Sequence, residues 1–359
     1  MHIAILGTRG IPAAYGGFET FAEELSQRLV KRGHRVTVYC RSRHRSPTYL
    51  GVHIQCLPTI RHKYLDTLVH TGISTLHLLF HRADVALYCN AANAIYTWMP
   101  RLVGIPVALN VDGLERKRKK WNRAAQAWYR MSERLATLFP NRAVSDARKI
   151  AEYYRDTYGA DTTFISYGAP LGKVTSQRAL DRLGLTPRRY FLYVTRFEPE
   201  NNPLLVREAF ETLPGDTMLA LIGDAPYAHE YIRKVKDTRD PRVLLPGAIY
   251  GEGYQELQSH CLAYVHATEV GGTHPALIEA MGRGCLVLYL NTPENAEVAA
   301  GVGIPFEPGE LPHTMRRALK MPPEERDDWG RRAMARVAER YSWDAVTDAY
   351  ERLFLELTR

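Results

Sequence analysis

Short apolar, β-branched runs alternate with helix-length amphipathic stretches along this chain, and the whole alternation happens twice. A parallel strand can follow its neighbour only through a crossover long enough to hold a helix, so this pattern restricts the fold to repeated βαβ units on parallel sheets. In the first half strands are expected at 2–6, 35–40, 52–57, 84–89, 106–111, 142–144 and 162–165. Phe18, Phe21, Ala22, Leu25, Leu29 and Val30 recur at helical spacing and stop at Gly33, which predicts the first crossover helix. The second half restarts the pattern at 190–195, 217–223, 243–245, 262–267 and 285–290. From about residue 311 onward only helix is expected, and Trp343, Val346, Tyr350, Leu353 and Phe354 line one face too apolar to be left in water, so that helix must dock.

A chain of 359 residues has room for two ordinary cores. The loop-rich stretch 166–176 reads as the hinge between them, giving a first domain at 1–170, a second at 171–340 and a terminal helix at 341–359. With 45% hydrophobic and 24% charged residues, collagen-like, disulfide-scaffold and largely disordered readings fall away. The first residues lack a basic segment followed by a long apolar one, and no run of 18 apolar residues occurs, so neither secretion nor membrane spanning is expected. Five scattered cysteines without a CxxC pair suit reduced core residues of a cytoplasmic protein.

Charge separates the halves. Residues 1–170 hold 24 of the 47 Lys+Arg and 12 of the 39 Asp+Glu, a net of +12, while 171–359 come to −4. An anionic partner is therefore expected to meet the first half.

Open parallel sheets bind ligands beyond the carboxyl ends of their strands, so the loops after the strands are where chemistry is sought. After the first strand, Gly16 and Gly17 open the first helix, where bare backbone N–H groups approach a phosphate or sugar. A nicotinamide dinucleotide would want a tighter GxGxxG than Gly7, Gly10 and Gly16 provide, although Arg41 at the end of the second strand suits a 2′-phosphate, so an NADP-dependent oxidoreductase stands as one alternative. The sharpest local signal is the segment from Glu269 to Met281. There Gly271, Gly272, Thr273 and His274 lead into Pro275 at a first helical position, Thr273 or His274 is placed to cap, and the amides of 272–274 form an anion nest of the right size for a diphosphate. Glu279 lies one turn further on, where its carboxylate can accept from a ribose diol; a plain ion-paired glutamate is the competing reading. Arg196, after the first strand of the second half, offers a fork that matches phosphate oxygens, with Glu198 or Glu200 as its ordinary partner instead. Asp112 stands at a strand's carboxyl end.

Just beyond it, Arg116, Lys117, Arg118, Lys119, Lys120 and Trp121 form a basic run with nearby aromatic residues. A solvated helical face is the usual meaning of such a run, an anionic headgroup surface the functional one, and nucleic acid is not expected because no known binding pattern accompanies it. A non-catalytic basic anion-binding protein is the second alternative. His77 and His81, four apart, lack the acidic neighbour of a metal motif and read as ordinary histidines.

The segments GTRGIPAAYGGFETFAEELSQRLVKRGHRVTVYCR, VDGLERKRKKW, ISYGA, TRFEPENN, EVGGTHPALIEAMGRG and YSWDAVTDAYERLF, in this order and over nearly the whole chain, resemble the family-4 glycosyltransferases of GT-B fold, most closely a bacterial rhamnosyltransferase-like branch. The resemblance implies an α/β chain with two Rossmann-like domains facing a central cleft and a final helix crossing back to the first. It implies a nucleotide-sugar donor in the second domain and a saccharide or lipid-linked saccharide acceptor in the first. The reaction it implies is retaining transfer of a hexose, rhamnose as first guess, in cell-surface polysaccharide synthesis, with no cofactor and no metal. By the same resemblance Gly16 and Gly17 lie beside the donor phosphates, Arg196 meets the diphosphate and Glu279 holds the ribose. Gly271 stands where the family has a first glutamate and Asn201 where it has a lysine; Glu269 is the nearest carboxylate to fill the gap. Catalytic roles are expected for Arg196, Asp112 and Glu269, donor contacts for Gly16, Gly17, Arg196, Asn201, Gly271, Gly272, Thr273, His274 and Glu279, and an acceptor or membrane surface for residues 116–121, at the inner face of the membrane.

Overall fold

A computed structural model describes the 359 residues apart from 14, 15, 43–45, 61, 63, 64, 119, 120 and 226–228. The chain divides into two compact units, Met1–Gly168 together with Trp343–Arg359, and Ala169–Ser342.

In the first unit the strands are β1 (His2–Leu6), β2 (Arg35–Cys40), β3 (Thr48–Tyr49), β4 (Val52–Cys56), β5 (Val85–Cys89), β6 (Val107–Asn110), β7 (Arg142–Ser145) and β8 (Thr163–Phe164). Helices α1 (Gly17–Lys31), α2 (Asp66–Phe80), α3 (Trp98–Leu102), α4 (Arg123–Ala136) and α5 (Arg148–Tyr158) connect them. Among the described residues the sheet runs β3-β4-β2-β1-β5-β6-β7-β8, parallel except for β3. The central strands are buried on both faces, Ile3 to Leu6 and Val85 to Cys89 without exception, as helix-covered parallel strands must be. Strand order reverses between β1 and β5, which marks the crevice above their carboxyl ends.

The second unit repeats the plan with β9 (Tyr190–Val194), β10 (Met218–Ile222), β11 (Val243–Leu244), β12 (Ala263–His266), β13 (Val287–Leu290) and β14 (Ile304–Phe306). Its helices are α6 (Arg178–Leu183), α7 (Pro203–Glu211), α8 (His229–Lys236), α9 (Gly251–His260), α10 (Pro275–Gly282), α11 (Pro293–Ala299), α12 (Leu311–Lys320) and α13 (Pro323–Arg340). The order β11-β10-β9-β12-β13-β14 is parallel throughout, and here the reversal falls between β9 and β12. Two strands escaped the sequence reading. Both β3 and β14 are edge strands of two and three residues, too short for a period, and Pro305 in β14 is tolerated because an edge need not donate on both sides.

The last helix, α14 (Trp343–Leu357), returns to the first unit and packs on α1. Tyr350 meets Phe21 with ring centres 5.3 Å apart, and its hydroxyl accepts from Asn110 Nδ2 at 2.9 Å. Arg32 pairs with Asp348 and Glu351, and His34 with Glu351, each at 2.6 Å. Gly168 lies so close to the Trp343 indole that a Cβ there would fall 2.3 Å from Cδ2. Among the described residues no helix is long and apolar enough to cross a membrane.

Candidate active site

In the second unit the loops after β9 and β12, at the strand-order reversal, hold Arg196 and Asn201 on one side and 271–274 on the other, with Glu279 in the helix that follows; Gly16 and Gly17 lie in the first unit. After β9 the chain turns through Thr195 and Arg196 into a single 3-10 turn, Pro199–Asn201, then Asn202 in the left-handed region (φ 54°) and Pro203 at the start of α7. Asn201 is buried and serves the loop: its Nδ2 donates to the Arg196 carbonyl at 2.8 Å, and its own carbonyl accepts from the Tyr193 hydroxyl. Arg196 itself is about a third exposed, with Glu198 3.7 Å away. The neighbouring Asn202 ties the two loops, donating from Nδ2 to the Ala267 carbonyl at 2.9 Å and to Glu269 Oε1 at 3.0 Å. A second tie runs from the Glu269 amide to the Glu200 carbonyl at 2.9 Å. Glu269 is thus held beside the Arg196 loop by its backbone and its carboxylate at once.

After β12, residues 267–274 lead into α10, whose first helical residue is Pro275. His274 is the capping position, but it caps through its carbonyl, which accepts from Leu277 and Ile278; no side-chain cap bond forms. Its ring instead turns back toward Gly271, where a Cβ would fall 2.3 Å from Cε1, and lies 4.8 Å from the ring of His266. Glycine at 271 is therefore what lets an imidazole sit at the mouth of the nest. Burial, with His274 beside it, drives the His266 pKa well below the ordinary histidine range, so that ring is neutral. Gly272 and Thr273 are buried at the start of the helix, where its dipole favours an anion.

Glu279 lies one turn into α10 and is 9% exposed. Its Oε2 accepts from the Tyr254 hydroxyl at 2.6 Å, and that hydroxyl accepts from Gln258 Nε2 at 2.8 Å. Burial, then the Glu279 charge, pushes Tyr254 well above the usual phenol range, so the proton stays on tyrosine and the carboxylate is oriented. Asn295 supports the loop from below, donating to the Thr268 and Leu290 carbonyls at 3.0 Å.

In the loop after β1, Gly7 (φ 90°) and Gly10 (φ 107°) are required by the backbone; a Cβ would strike the Cys89 carbonyl and the Cys40 sulfur, each at 2.4 Å. Gly16 caps α1 in an extended conformation, with Gly17 as its first residue. Glu19 accepts from the Arg9 amide at 2.9 Å, and burial raises its carboxyl pKa against the pull of that amide and of Arg41. Asp112 has φ 61°, a conformation a residue other than glycine rarely adopts, and lies at the carboxyl end of β6 with the Tyr167 hydroxyl 3.5 Å from Oδ1. Arg41 is engaged by Asp66 at 2.8 Å and Thr67 at 3.1 Å. In the basic run, Arg116 binds Glu133 and Tyr153, Arg118 binds Glu115, Trp121 packs on Tyr129, and Lys117 is exposed. Lys119 and Lys120 lie outside the described residues. His77 and His81 stack at 3.9 Å, and no trio of His, Cys, Asp or Glu suited to a metal occurs among the described residues.

Residues 15–171 match the model of Glycosyltransferase Family 4, and residues 179–336 match that of the Glycosyl transferases group 1. The chain is a family 4-like glycosyltransferase. A comparison with curated protein sequences found no match. Among solved structures, the glycosyltransferase is similar to a sucrose-phosphate synthase from Thermosynechococcus elongatus, with a TM-score of 0.82 at 20% identity over 99% of this chain and 98% of that one. Anabaena HepE, solved with UDP and glucose, gives 0.80 at 16% identity over 99% and 100%. WaaG, a glycosyltransferase involved in lipopolysaccharide biosynthesis, gives 0.73 at 16% over 97% and 99%. The transferase has the GT-B fold. Asn202, Tyr254 and Asn295 are the residues of its candidate site that the sequence reading missed; an asparagine before Pro203 at a helix start was the one available signal, because the other two act across distances no motif spans.

Proposed function

We propose that this glycosyltransferase moves a hexose, rhamnose as first candidate, from a nucleoside diphosphate sugar to a saccharide or lipid-linked saccharide, with retention at the anomeric carbon and without a metal, in cell-surface polysaccharide synthesis. One observation carries the reading: the start of α10 joins an anion-favouring nest at 272–274 to an oriented carboxylate at Glu279, within one unit and beside the Arg196 loop. A diphosphate bound by the nest leaves its ribose one helical turn away, within reach of Glu279. Arg196 and the nest amides neutralise charge as the sugar–phosphate bond breaks, where such donors act most strongly. The departing phosphate oxygen takes the acceptor proton on the same face, which yields retention without a protein nucleophile. Glu269, held by Asn202, is the carboxylate we assign to the donor sugar, and the strained Asp112 to the acceptor hydroxyl. HepE, similar over 98% of this chain, was also solved with UDP-glucose, which supports a nucleotide-sugar donor. The net charge of +12 over 1–170 supports an anionic acceptor or membrane face on that side.

A melting panel with UDP, GDP, ADP, dTDP and NADPH tests this. A native-state ligand at 100 times its Kd adds about 2.7 kcal/mol, and one nucleoside diphosphate is expected to raise the melting temperature by several degrees. A response to NADPH alone would end the proposal.

A further inference from the structure

At the opposite end of the second sheet from the donor loops, Cys261 precedes β12 and Cys285 precedes β13. These strands are hydrogen-bonded neighbours, with Tyr264 aligned on Val287, so continuing the register sets Leu262 beside Cys285 and Cys261 one step away. The two sulfurs lie 3.7 Å apart, and both thiols point at one acceptor, the Gln258 carbonyl, at 3.4 and 3.0 Å. Cys261 is partly exposed and Cys285 buried. Both line a small open cleft whose other walls include Lys173, Arg188, Arg326 and a single acid, Asp327. Asp327 pairs with Arg188 at 2.7 Å and approaches Lys173 at 3.9 Å, which leaves the rim net positive.

We propose that Cys261 and Cys285 form a dithiol modification site that closes to a disulfide by exchange with a small anionic disulfide guided in by the cationic rim. The Cys261 sulfur, the accessible one, attacks a sulfur of the incoming disulfide; that S–S bond breaks, and one half leaves as a thiol with the proton Cys261 gave up. The Cys285 sulfur then attacks the Cys261 sulfur and expels the second half, which takes the proton from Cys285. Two protein thiols are oxidised to one disulfide while the reagent disulfide is reduced to two thiols. Only thiolate attacks, and the hydrogen shared with Cys285, then burial, raises the Cys261 thiol well above its ordinary range while Lys173 pulls it down, so exchange quickens as the pH rises from 7 to 9. In a reducing compartment the pair rests as thiols and responds to an oxidising excursion.

The test incubates the whole protein with oxidised glutathione, alkylates what remains free and maps the digest by mass spectrometry. The expected result is a Cys261–Cys285 linked peptide, a fall from five free thiols to three, recovery with dithiothreitol, and no such loss in Cys261→Ser. At low salt the anionic reagent should react about tenfold faster than neutral 2-hydroxyethyl disulfide, a gap that salt closes. Five thiols surviving, a mixed disulfide that stays on Cys261, or a link formed instead between Cys40 and Cys56, which are aligned on β2 and β4, would overturn the proposal. Equal rates with the two reagents would overturn the role given to the rim. The peptide map is read on the unaltered chain, so it stands whether or not the serine variant folds.

Discussion

Arg196 is held in its loop through its carbonyl, which accepts from Asn201 Nδ2 at 2.8 Å and from the Glu198 amide at 2.7 Å, while its guanidinium lies 3.7 Å from Glu198, longer than a tight ion pair. Removing the guanidinium therefore leaves the loop's bonds standing. Arg196→Ala is expected to lower turnover by about 10²–10³, the loss usual for one donor aimed at developing charge, while the melting temperature moves by no more than a degree or two; steady-state kinetics beside a thermal melt decide it, and an unchanged rate removes Arg196 from the chemistry. Asp112 is the reverse case. Its left-handed backbone costs about 1–2 kcal/mol, which glycine would not incur. Asp112→Gly is accordingly expected to melt higher and turn over more slowly, and a variant that loses stability would show the strain to be illusory.

At the scale of elements, the seam between α1 and α14 titrates. Hydrogen bonds from His34, then Arg32, lower the Glu351 carboxyl pKa below the ordinary 4.5. A carboxyl depressed in the folded state contributes stability that is fully present above pH 4.5 and is lost as pH falls through the lower, folded value. Glu351→Gln should therefore cost up to about 1 kcal/mol near neutral pH, and its melting curve should converge on that of the parent protein in strong acid; a gap that persists there would assign the effect to packing. Elements were also where the sequence was most legible. The central strands and α1 announce themselves by unbroken apolar runs and by a helical period, because burial on both faces or on one stripe leaves no freedom in those positions. The candidate site was legible as far as Gly271, Gly272, Arg196 and Glu279, which lie in the loop after β9 and in the loop and helix after β12. What was hidden is pairwise: Asn202 reaching Glu269, Tyr254 orienting Glu279, and the His274 ring filling the space that Gly271 leaves. The first two join segments whose nearness is a product of the strand order, which is not written in any local run; the third is local, but it depends on a ring orientation that residue types alone do not specify.

For the whole molecule, the excess positive charge lies in residues 1–170. Within the basic run Arg116 and Arg118 each hold a carboxylate, so attraction to an anionic surface rests on the summed field of residues 1–170 more than on that run. The protein is expected to sediment with vesicles containing about a third phosphatidylglycerol, to stay in solution with phosphatidylcholine alone, and to be released by roughly 0.5 M salt, where the screening length falls well below that at physiological strength. Binding that ignores both headgroup charge and salt would remove the anionic surface from the proposed function.

The placement of α14 has a further consequence, for synthesis. This helix completes the first unit, yet every strand of the second precedes it in the chain. At about 5–20 residues per second, a ribosome works for on the order of ten seconds or longer between releasing Gly168 and releasing Trp343. Throughout that interval the nascent first unit lacks the partner that Phe21 and Asn110 await, and the apolar groove on α1 is open to whatever chaperone stands at the exit tunnel.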